Sequence, residues 1–174
     1  PTYVDVYAAA KLLTPRTLLA HGIWLDGKDL GTIALSGSTI AHCPTANRFL
    51  AAGEMDRAKA IAAGVRVSAG TDVAGGPDRS MVRVARAMID TAKQVHASPP
   101  SAADCWWQIT AGNADALGLA DVGRIHPGAA ADLLVVGPDI PWQGGLNPLS
   151  TLMYGWDDRW LKQTLLAGRA ACPS

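Results

Sequence analysis

The chain has 174 residues, of which 49% are hydrophobic, and this composition suits a folded domain with a substantial core. Fifteen Lys and Arg residues balance 15 Asp and Glu residues, so no basic surface for nucleic acid or for an anionic membrane is predicted. No apolar run approaches the roughly 20 residues that a membrane-spanning helix needs.

The cysteines are odd in number and form no CxxC pair. Cys43, Cys105 and Cys172 are therefore predicted to be small core residues rather than parts of a disulfide framework. Free thiols of this kind are typical of a reducing compartment, which predicts a cytoplasmic location.

The first strand–helix unit is predicted at the start of the chain. A partial helix, VDVYAAAKLL, precedes a strand-like run, RTLLAHG, which ends at His21 and Gly22. The next segment, LDGKDLGTIALSG, has apolar residues at helical spacing. Asp26 is its predicted N-cap, and Gly37 follows its last turn.

Two more strands follow, each with a helix after it. The strand STIAHCP ends at Pro44, and the helix GEMDRAKAIAAG ends at Gly64. The strand VRVSAGTD leads to the long helix SMVRVARAMIDTAKQVHA. A further helix, SAADCWWQITAGNADALGL, begins with a capping box formed by Ser101 and Asp104. Three strand–helix units in sequence predict an α/β fold with a parallel sheet or barrel.

The amino-acid composition of the chain changes at Asp121. The segment VGRIHPGAAADLLVVGPD is rich in Gly, Ala and Pro and becomes strongly β-forming from Leu133 to Val136. A further strand is predicted in WLKQTLLAGRAA, and no helix of comparable length is expected in this tail. The chain is therefore divided into residues 1–120 and a small β-rich unit, residues 121–174.

Three polar residues fall at the ends of the predicted strands. Because the carboxyl ends of parallel strands share one rim, His21, His42 and Asp72 are expected to lie there together. An Asp can bind a divalent cation and take a proton from water, while a His stabilises the developing oxyanion. The alternatives are packed histidines and a helix N-cap. His96 and His126 are poor further ligands, so a three-ligand metal site is incomplete within this chain.

Other catalytic templates are absent from the sequence. It contains no GxSxG nucleophile elbow, no GxxxxGK[ST] phosphate loop and no GxGxxG after a strand. The HxE…PCxxC pattern of the cytidine-type deaminases is absent as well. Metal-assisted hydrolysis remains the chemistry that the strand-end residues favour.

Four segments resemble a known family. LLAHG, IAHCPTANRFL and VSAGTDVAGG are similar, in order and spacing, to the later barrel strands of the amidohydrolase superfamily, most closely its guanine deaminase branch. The run ITAGNADALGLADVGRIHPGAAADLLVVGPD resembles the segment by which these enzymes leave the barrel for their small β domain. The resemblance extends over nearly the whole chain.

The resemblance implies a (β/α)₈ TIM barrel with one divalent metal, usually zinc and sometimes iron. Asp72 matches a metal ligand and proton shuttle, and His21 matches a histidine that contacts the metal-bound hydroxide and the substrate. His42 and Asn47 match the HCPxxN stretch that shapes the substrate pocket. Ala46 stands where the family usually has Ser, so no hydrogen bond is expected from that position.

The family's HxH pair and HxxE motif are absent from this sequence. The resemblance therefore implies the last three strand–helix units of the barrel and the C-terminal part of a small β-sandwich domain, with the isolated chain inactive. The expected reaction of the complete enzyme is hydrolysis of guanine to xanthine and ammonia.

Two alternatives remain open. One is a deaminase or chlorohydrolase that acts on another heterocycle, such as an adenosine derivative, a pterin or a triazine. The other is a non-catalytic half-barrel that self-associates through its open sheet edges.

Overall fold

The computed structural model describes residues 1–171 and has an α/β architecture with two separate three-stranded sheets. The strands and helices, in chain order, are α1 (Tyr3–Ala9), β1 (Leu18–Ala20), α2 (Gly27–Ser36), β2 (Thr39–His42), α3 (Pro44–Phe49), α4 (Arg57–Ala62), β3 (Arg66–Ala69), α5 (Met81–Gln94), α6 (Ala102–Trp107), α7 (Asn113–Leu117), β4 (Leu133–Val136), α8 (Pro148–Tyr154), β5 (Leu161–Leu166) and β6 (Arg169–Ala170). A π-helical turn, Gln108–Gly112, joins α6 to α7, and a 3₁₀ turn, Asp158–Trp160, precedes β5.

The first sheet is parallel, with the strand order β1-β2-β3. Leu18 pairs with Thr39, and Thr39 pairs with Arg66, so the three strands start level with one another. Helices connect each strand to the next, as parallel pairing requires. The predicted parallel α/β arrangement is confirmed.

Local sequence signals account for several helix ends. The Asp26 side chain accepts a hydrogen bond from the Asp29 amide at the start of α2, and Gly37 ends that helix in the left-handed conformation. Ser101 and Asp104 form the predicted capping box of α6. The first helix ends at Ala9, earlier than the apolar pattern predicts.

Two apolar clusters lie against the parallel sheet. Ile40 and Val67 are adjacent in the sheet and belong to the cluster that packs on α1, α2 and α4. Ala69, at the end of β3, belongs to the cluster beneath α5 and α6. Cys43 and Cys105 are buried free thiols, which confirms their predicted core positions, whereas Cys172 lies outside the described residues.

The second sheet is antiparallel, with the order β4-β5-β6, and it contains both predicted strands of the tail. The expectation that the tail lacks a comparable helix is wrong, because α8 has seven residues and α6 has six. Asn147 caps α8, and Pro148 occupies its first turn.

Helix α8 packs against the first part of the chain. Its Met153 is buried in the α5–α6 cluster, and the Trp106 indole donates a hydrogen bond to the Leu149 carbonyl at 3.1 Å. The division into residues 1–120 and 121–174 stays a prediction.

Within residues 1–171, no helix is both long enough and apolar enough to cross a bilayer.

Candidate active site

The three polar residues predicted at the strand ends lie at the same end of the parallel sheet. His21 directly follows β1, His42 is the last residue of β2, and Asp72 comes three residues after β3. The hydrogen-bond ladder continues to this rim: His21 N–H donates to the Ala41 carbonyl, and Gly70 N–H donates to the His42 carbonyl, both at 2.9 Å. The shared rim predicted from the sequence is confirmed.

His21 connects Asp72 to Asn47. His21 Nε2 lies 3.8 Å from Asp72 Oδ2, and His21 Nδ1 lies 2.8 Å from Asn47 Oδ1. About a third of the His21 and Asp72 side chains is exposed (37% and 33%), whereas Asn47 is fully buried. His21 and Asp72 can therefore reach a substrate, and Asn47 lies behind His21.

Both reachable residues have a left-handed backbone. The φ angle is 71° at His21 and 51° at Asp72, a region that non-glycine residues seldom adopt. His21 has this conformation directly after β1, and Asp72 has it in the loop that follows β3. Strain of this kind persists only where the surrounding structure enforces it.

Two glycines allow the turn after Asp72. The Asp72 carbonyl accepts hydrogen bonds from the amides of Gly75 (2.9 Å) and Gly76 (2.5 Å). A Cβ atom at Gly75 would lie 2.8 Å from Asp72 Oδ2, and one at Gly76 would lie 2.8 Å from the Thr71 carbonyl. Only glycine fits at these two places without displacing the aspartate loop.

Cys43 forms part of the same rim, which the sequence analysis did not predict. Burial raises the pKa of the Cys43 thiol, and the nearby Asp72 carboxylate raises it further. Its Sγ lies 3.5 Å from the position that a Gly70 Cβ would occupy. The thiol is therefore a protonated, weakly polar wall of the site rather than a nucleophile.

His42 points away from these residues. Its ring lies on the same face of β2 as Ile40, two residues earlier, and lines a cleft between α4 and α5. Burial, together with the positive charge of Arg57, lowers the pKa of His42 to about 3. The structure does not bring His42 together with His21 and Asp72, so the substrate contact expected of it has no geometric support.

Two side chains from the π-helical region hold β3 in place, and neither was predicted. Asn113 pairs with Ala69 through both backbone groups: the Ala69 amide donates to Oδ1 at 2.7 Å, and Nδ2 donates to the Ala69 carbonyl at 2.9 Å. Gln108 Nε2 donates to the Val67 carbonyl at 3.0 Å. These bonds fix the strand that leads to Asp72 and cover its outer edge.

A metal would find too few ligands here. In residues 1–171 no three His, Cys, Asp or Glu side chains converge in a way that could hold an ion. Asp72 and His21 supply two groups at most, whereas catalytic zinc usually has three protein ligands. The described residues therefore do not complete a metal centre by themselves.

His21 and Asp72 lie 3.8 Å apart at the carboxyl ends of parallel strands, which is the rim where α/β barrel and open-sheet folds carry their functional residues. A model of the amidohydrolase family matches residues 1–171. The chain belongs to the amidohydrolase family.

The most similar proteins include purine deaminases. Guanine deaminase of Mus musculus is 29% identical over 189 residues, an alignment that covers 98% of this chain and 42% of the mouse protein. The structure of E. coli guanine deaminase superimposes with a TM-score of 0.90 and 30% identity, covering 99% of this chain and 43% of that one.

A zinc-containing structure is also similar. An adenosine deaminase from Xanthomonas campestris with bound zinc gives a TM-score of 0.85 and 27% identity, covering 96% of this chain and 39% of that one. The chain thus spans less than half the length of these relatives.

Proposed function

We propose that the chain supplies the His21–Asp72 part of the active site of a hydrolytic deaminase, and that the substrate of the complete enzyme is guanine. The observation that carries the proposal is the His21–Asp72 pair at the rim of the parallel sheet, in a chain whose match to the family extends over residues 1–171. Closure of the sheet into a (β/α)₈ barrel, and of the second sheet into a small β-sandwich domain (residues 121–174), belongs to the same proposal.

The proposed reaction replaces an amino group by oxygen. Water attacks the ring carbon that bears the amino group, and Asp72 takes the proton that the water loses. His21 donates its Nδ1–H to Asn47 Oδ1, so its Nε2, beside Asp72, accepts a hydrogen bond from the hydroxyl group of the tetrahedral intermediate. Asp72 then passes this proton to the amino nitrogen, the C–N bond breaks, ammonia leaves, and guanine becomes xanthine. The acid that protonates the ring is assigned to a residue outside this chain, because no HxxE motif occurs here.

A divalent metal, zinc in the first instance, is part of the proposal for the complete enzyme. When bound, such an ion would increase the acidity of the attacking water. Asp72 is the one metal ligand proposed from this chain, and the remaining ligands would come from residues outside it. The zinc bound in the similar adenosine deaminase supports this assignment.

The buried Asn47 is proposed to act through His21. Its carbonyl oxygen faces His21 Nδ1 and its side chain is fully buried, so the substrate contact expected from the sequence is replaced by a positioning role. The Cys43 thiol, close to Asp72, is proposed as part of the pocket wall.

A second candidate substrate is an adenosine derivative, which the similarity to an adenosine deaminase favours. The two are separated by measuring ammonia release from guanine, adenosine, a pterin and an aminotriazine by the complete enzyme that carries this chain. Release that is fastest from guanine supports the proposal, whereas preference for adenosine supports the alternative. No release from any of them would leave the non-catalytic half-barrel as the better explanation.

The non-catalytic alternative predicts self-association through open sheet edges. Side chains of Gln108 and Asn113 cover the outer edge of β3, whereas β1 is a sheet edge with Leu18 half exposed. Pairing between copies would therefore involve β1, and gel filtration of the purified chain tests it.

A cytoplasmic location is likewise proposed, on the basis of the reduced thiols of Cys43 and Cys105.

A further inference from the structure

A cleft of about 440 Å³ lies between α4 and α5, on the face of β2 that His42 occupies. It is lined by His42, Met55, Arg57, Ile61, Met88 and Trp107, among others. The volume is within the range of small-molecule sites in proteins. None of the residues proposed for the deaminase reaction lines it, so the cleft is a separate feature of the molecule.

His42 forms the polar floor of the cleft. The side chain is 1% exposed, and neither ring nitrogen has a hydrogen-bond partner in residues 1–171. The ring is neutral because burial and Arg57 disfavour its charged form, so it presents one N–H donor and one acceptor. A buried polar group without a hydrogen-bond partner destabilises the fold, and a bound polar group would relieve this cost.

Arg57 presents a second unpaired donor to the same cleft. Its Nη2 donates to Gln108 Oε1, but its buried Nε–H has no partner among the described residues. Asp104, the acidic residue of the cleft lining, favours the charged form of Arg57 through its own negative charge, but its carboxylate accepts its hydrogen bonds from Ser101 in the capping box of α6. No carboxylate in residues 1–171 therefore accepts a hydrogen bond from the Arg57 guanidinium, which lines the cleft.

The walls of the cleft are apolar. Met55 and Met88 are buried members of the cleft lining, and Ile61 and Trp107 are half-exposed members of it. Methionine side chains adapt their shape to a bound group, and an indole offers a flat face for stacking. A cationic donor and a neutral imidazole at the base of apolar walls suit an amphipathic anion better than a fully hydrated one.

We propose that this cleft binds a small organic monoanion: a carboxylate attached to a flat, apolar body. The carboxylate accepts hydrogen bonds from Arg57 Nε–H and from the His42 ring, and the apolar body lies between Met55 and Met88 beneath Trp107. Inorganic phosphate is a poorer ligand for two reasons. Its second negative charge would have no second cation to pair with, and it has no apolar surface to pack against the walls of the cleft.

Benzoate is the probe that tests this site. Its binding is measured by NMR, from the signals of the Trp107 indole and the His42 ring in the ¹⁵N-labelled chain. Saturable shifts of both, with a Kd of about 1 mM, are expected. Benzamide has the same shape without the charge, and inorganic phosphate has charge without the apolar body. Both should bind at least about tenfold more weakly than benzoate.

Two variants on one helix provide the matched comparison. Arg57→Met removes the cation of the cleft and should weaken benzoate binding at least about tenfold. Lys59→Met removes a cation from the exposed side of α4 and should leave binding unchanged. Should Arg57→Met prove unfolded, the comparison of benzoate with benzamide on the unaltered chain decides the question.

Three results would overturn the proposal. They are the absence of saturable shifts at Trp107 with about 10 mM benzoate, equal binding of benzamide and benzoate, and phosphate binding as tight as benzoate binding. None of these measurements depends on deaminase activity.

Discussion

Asn47, in α3, places its Oδ1 atom 2.8 Å from Nδ1 of His21, 26 residues earlier in the chain, and is itself fully buried. A carbonyl oxygen can only accept, so it selects the form of His21 that carries a hydrogen on Nδ1. The other ring nitrogen then faces Asp72. The orientation of His21 is therefore set by a side chain that is itself fully buried.

Removing this hydrogen bond should disturb His21 without removing it. In the complete enzyme, Asn47→Leu should lower kcat by about 10- to 100-fold, because the imidazole loses the partner that fixes its orientation. Asn47→Asp retains an acceptor and should recover part of the loss. In the ¹⁵N-labelled chain, the Nδ1-protonated form of His21 should give way to a mixture of tautomers in Asn47→Leu.

Asn147 supplies the matched control for that experiment. It caps α8, far along the chain from His21, and Asn147→Leu removes an asparagine hydrogen bond there instead. Its kcat and the His21 signals should remain unchanged. Equal loss of activity in the two variants would show that the effect of Asn47 is general destabilisation.

Substitutions of Asp72 and of His21 in the complete enzyme should have different effects on the bound metal. Asp72→Asn should lower turnover by about 10³-fold or more and reduce the bound metal, because it removes both the base and the proposed ligand. His21→Ala should lower turnover while most metal stays bound. Metal analysis and ammonia release measure the two effects.

The control for Asp72 is a nearby aspartate with a different task. Asp78 lies six residues later and pairs with Arg83 at 3.1 Å, so Asp78→Asn should retain ordinary turnover and metal. Ordinary turnover in Asp72→Asn itself would show that the base is another residue.

The purified 174-residue chain should hold no stoichiometric metal and release no ammonia from guanine. Among its described residues no three ligands converge, and a carboxylate with one imidazole cannot offset the dehydration of zinc. Self-association would not restore activity, because every copy lacks the HxH and HxxE motifs. Elemental analysis beside an ammonia assay tests this, and one tightly bound zinc with guanine-dependent ammonia release would contradict it.

The sequence predicted the parts of the fold that depend on neighbouring residues. The strands β1, β2 and β3 and the capping box of Ser101 come from local patterns, and the rim positions of His21 and Asp72 follow from where the strands end. The face of β2 on which the His42 ring lies could also have been predicted, because side chains alternate along a strand and His42 shares a face with Ile40.

Other features depend on contacts between distant residues. Asn113 reaches Ala69 across 44 positions, and α8 is a short helix whose Met153 is buried only because α5 and α6 lie beside it. Nothing in the local pattern around either residue indicates its partner. The edge of β3 and the packing of the tail could therefore not be predicted from the sequence.

The glycine pair after Asp72 should be intolerant of a methyl group. Gly76→Ala places a Cβ atom 2.8 Å from the Thr71 carbonyl and 2.9 Å from the Ala46 Cβ, so it should destabilise the chain by about 1–3 kcal/mol. Gly31→Ala is the control: it lies within α2 with open space around it and should stabilise by up to about 1 kcal/mol. Urea unfolding of the chain measures both, and opposite signs are expected.

The buried, neutral His42 should make the chain less stable as the pH falls. Its pKa is about 3 in the folded state against an ordinary value of 6.5, because burial and Arg57 both disfavour the imidazolium. Between these two values the unfolded chain binds a proton that the folded chain does not. Stability is therefore fully present above pH 6.5 and is lost as the pH falls from 6.5 towards 3, by up to about 1.4 kcal/mol per pH unit.

His42→Gln removes the group that takes up this proton. The free energy of unfolding should then depend less steeply on pH between 6 and 4, with a slope that is smaller by about 1 kcal/mol per pH unit. His126→Gln is the control, because His126 is exposed and should leave the slope unchanged. Urea unfolding at a series of pH values measures the slopes. An identical slope for His42→Gln and the unaltered chain would mean that His42 is protonated in the folded state, and that the cleft between α4 and α5 admits more water than its apolar walls indicate.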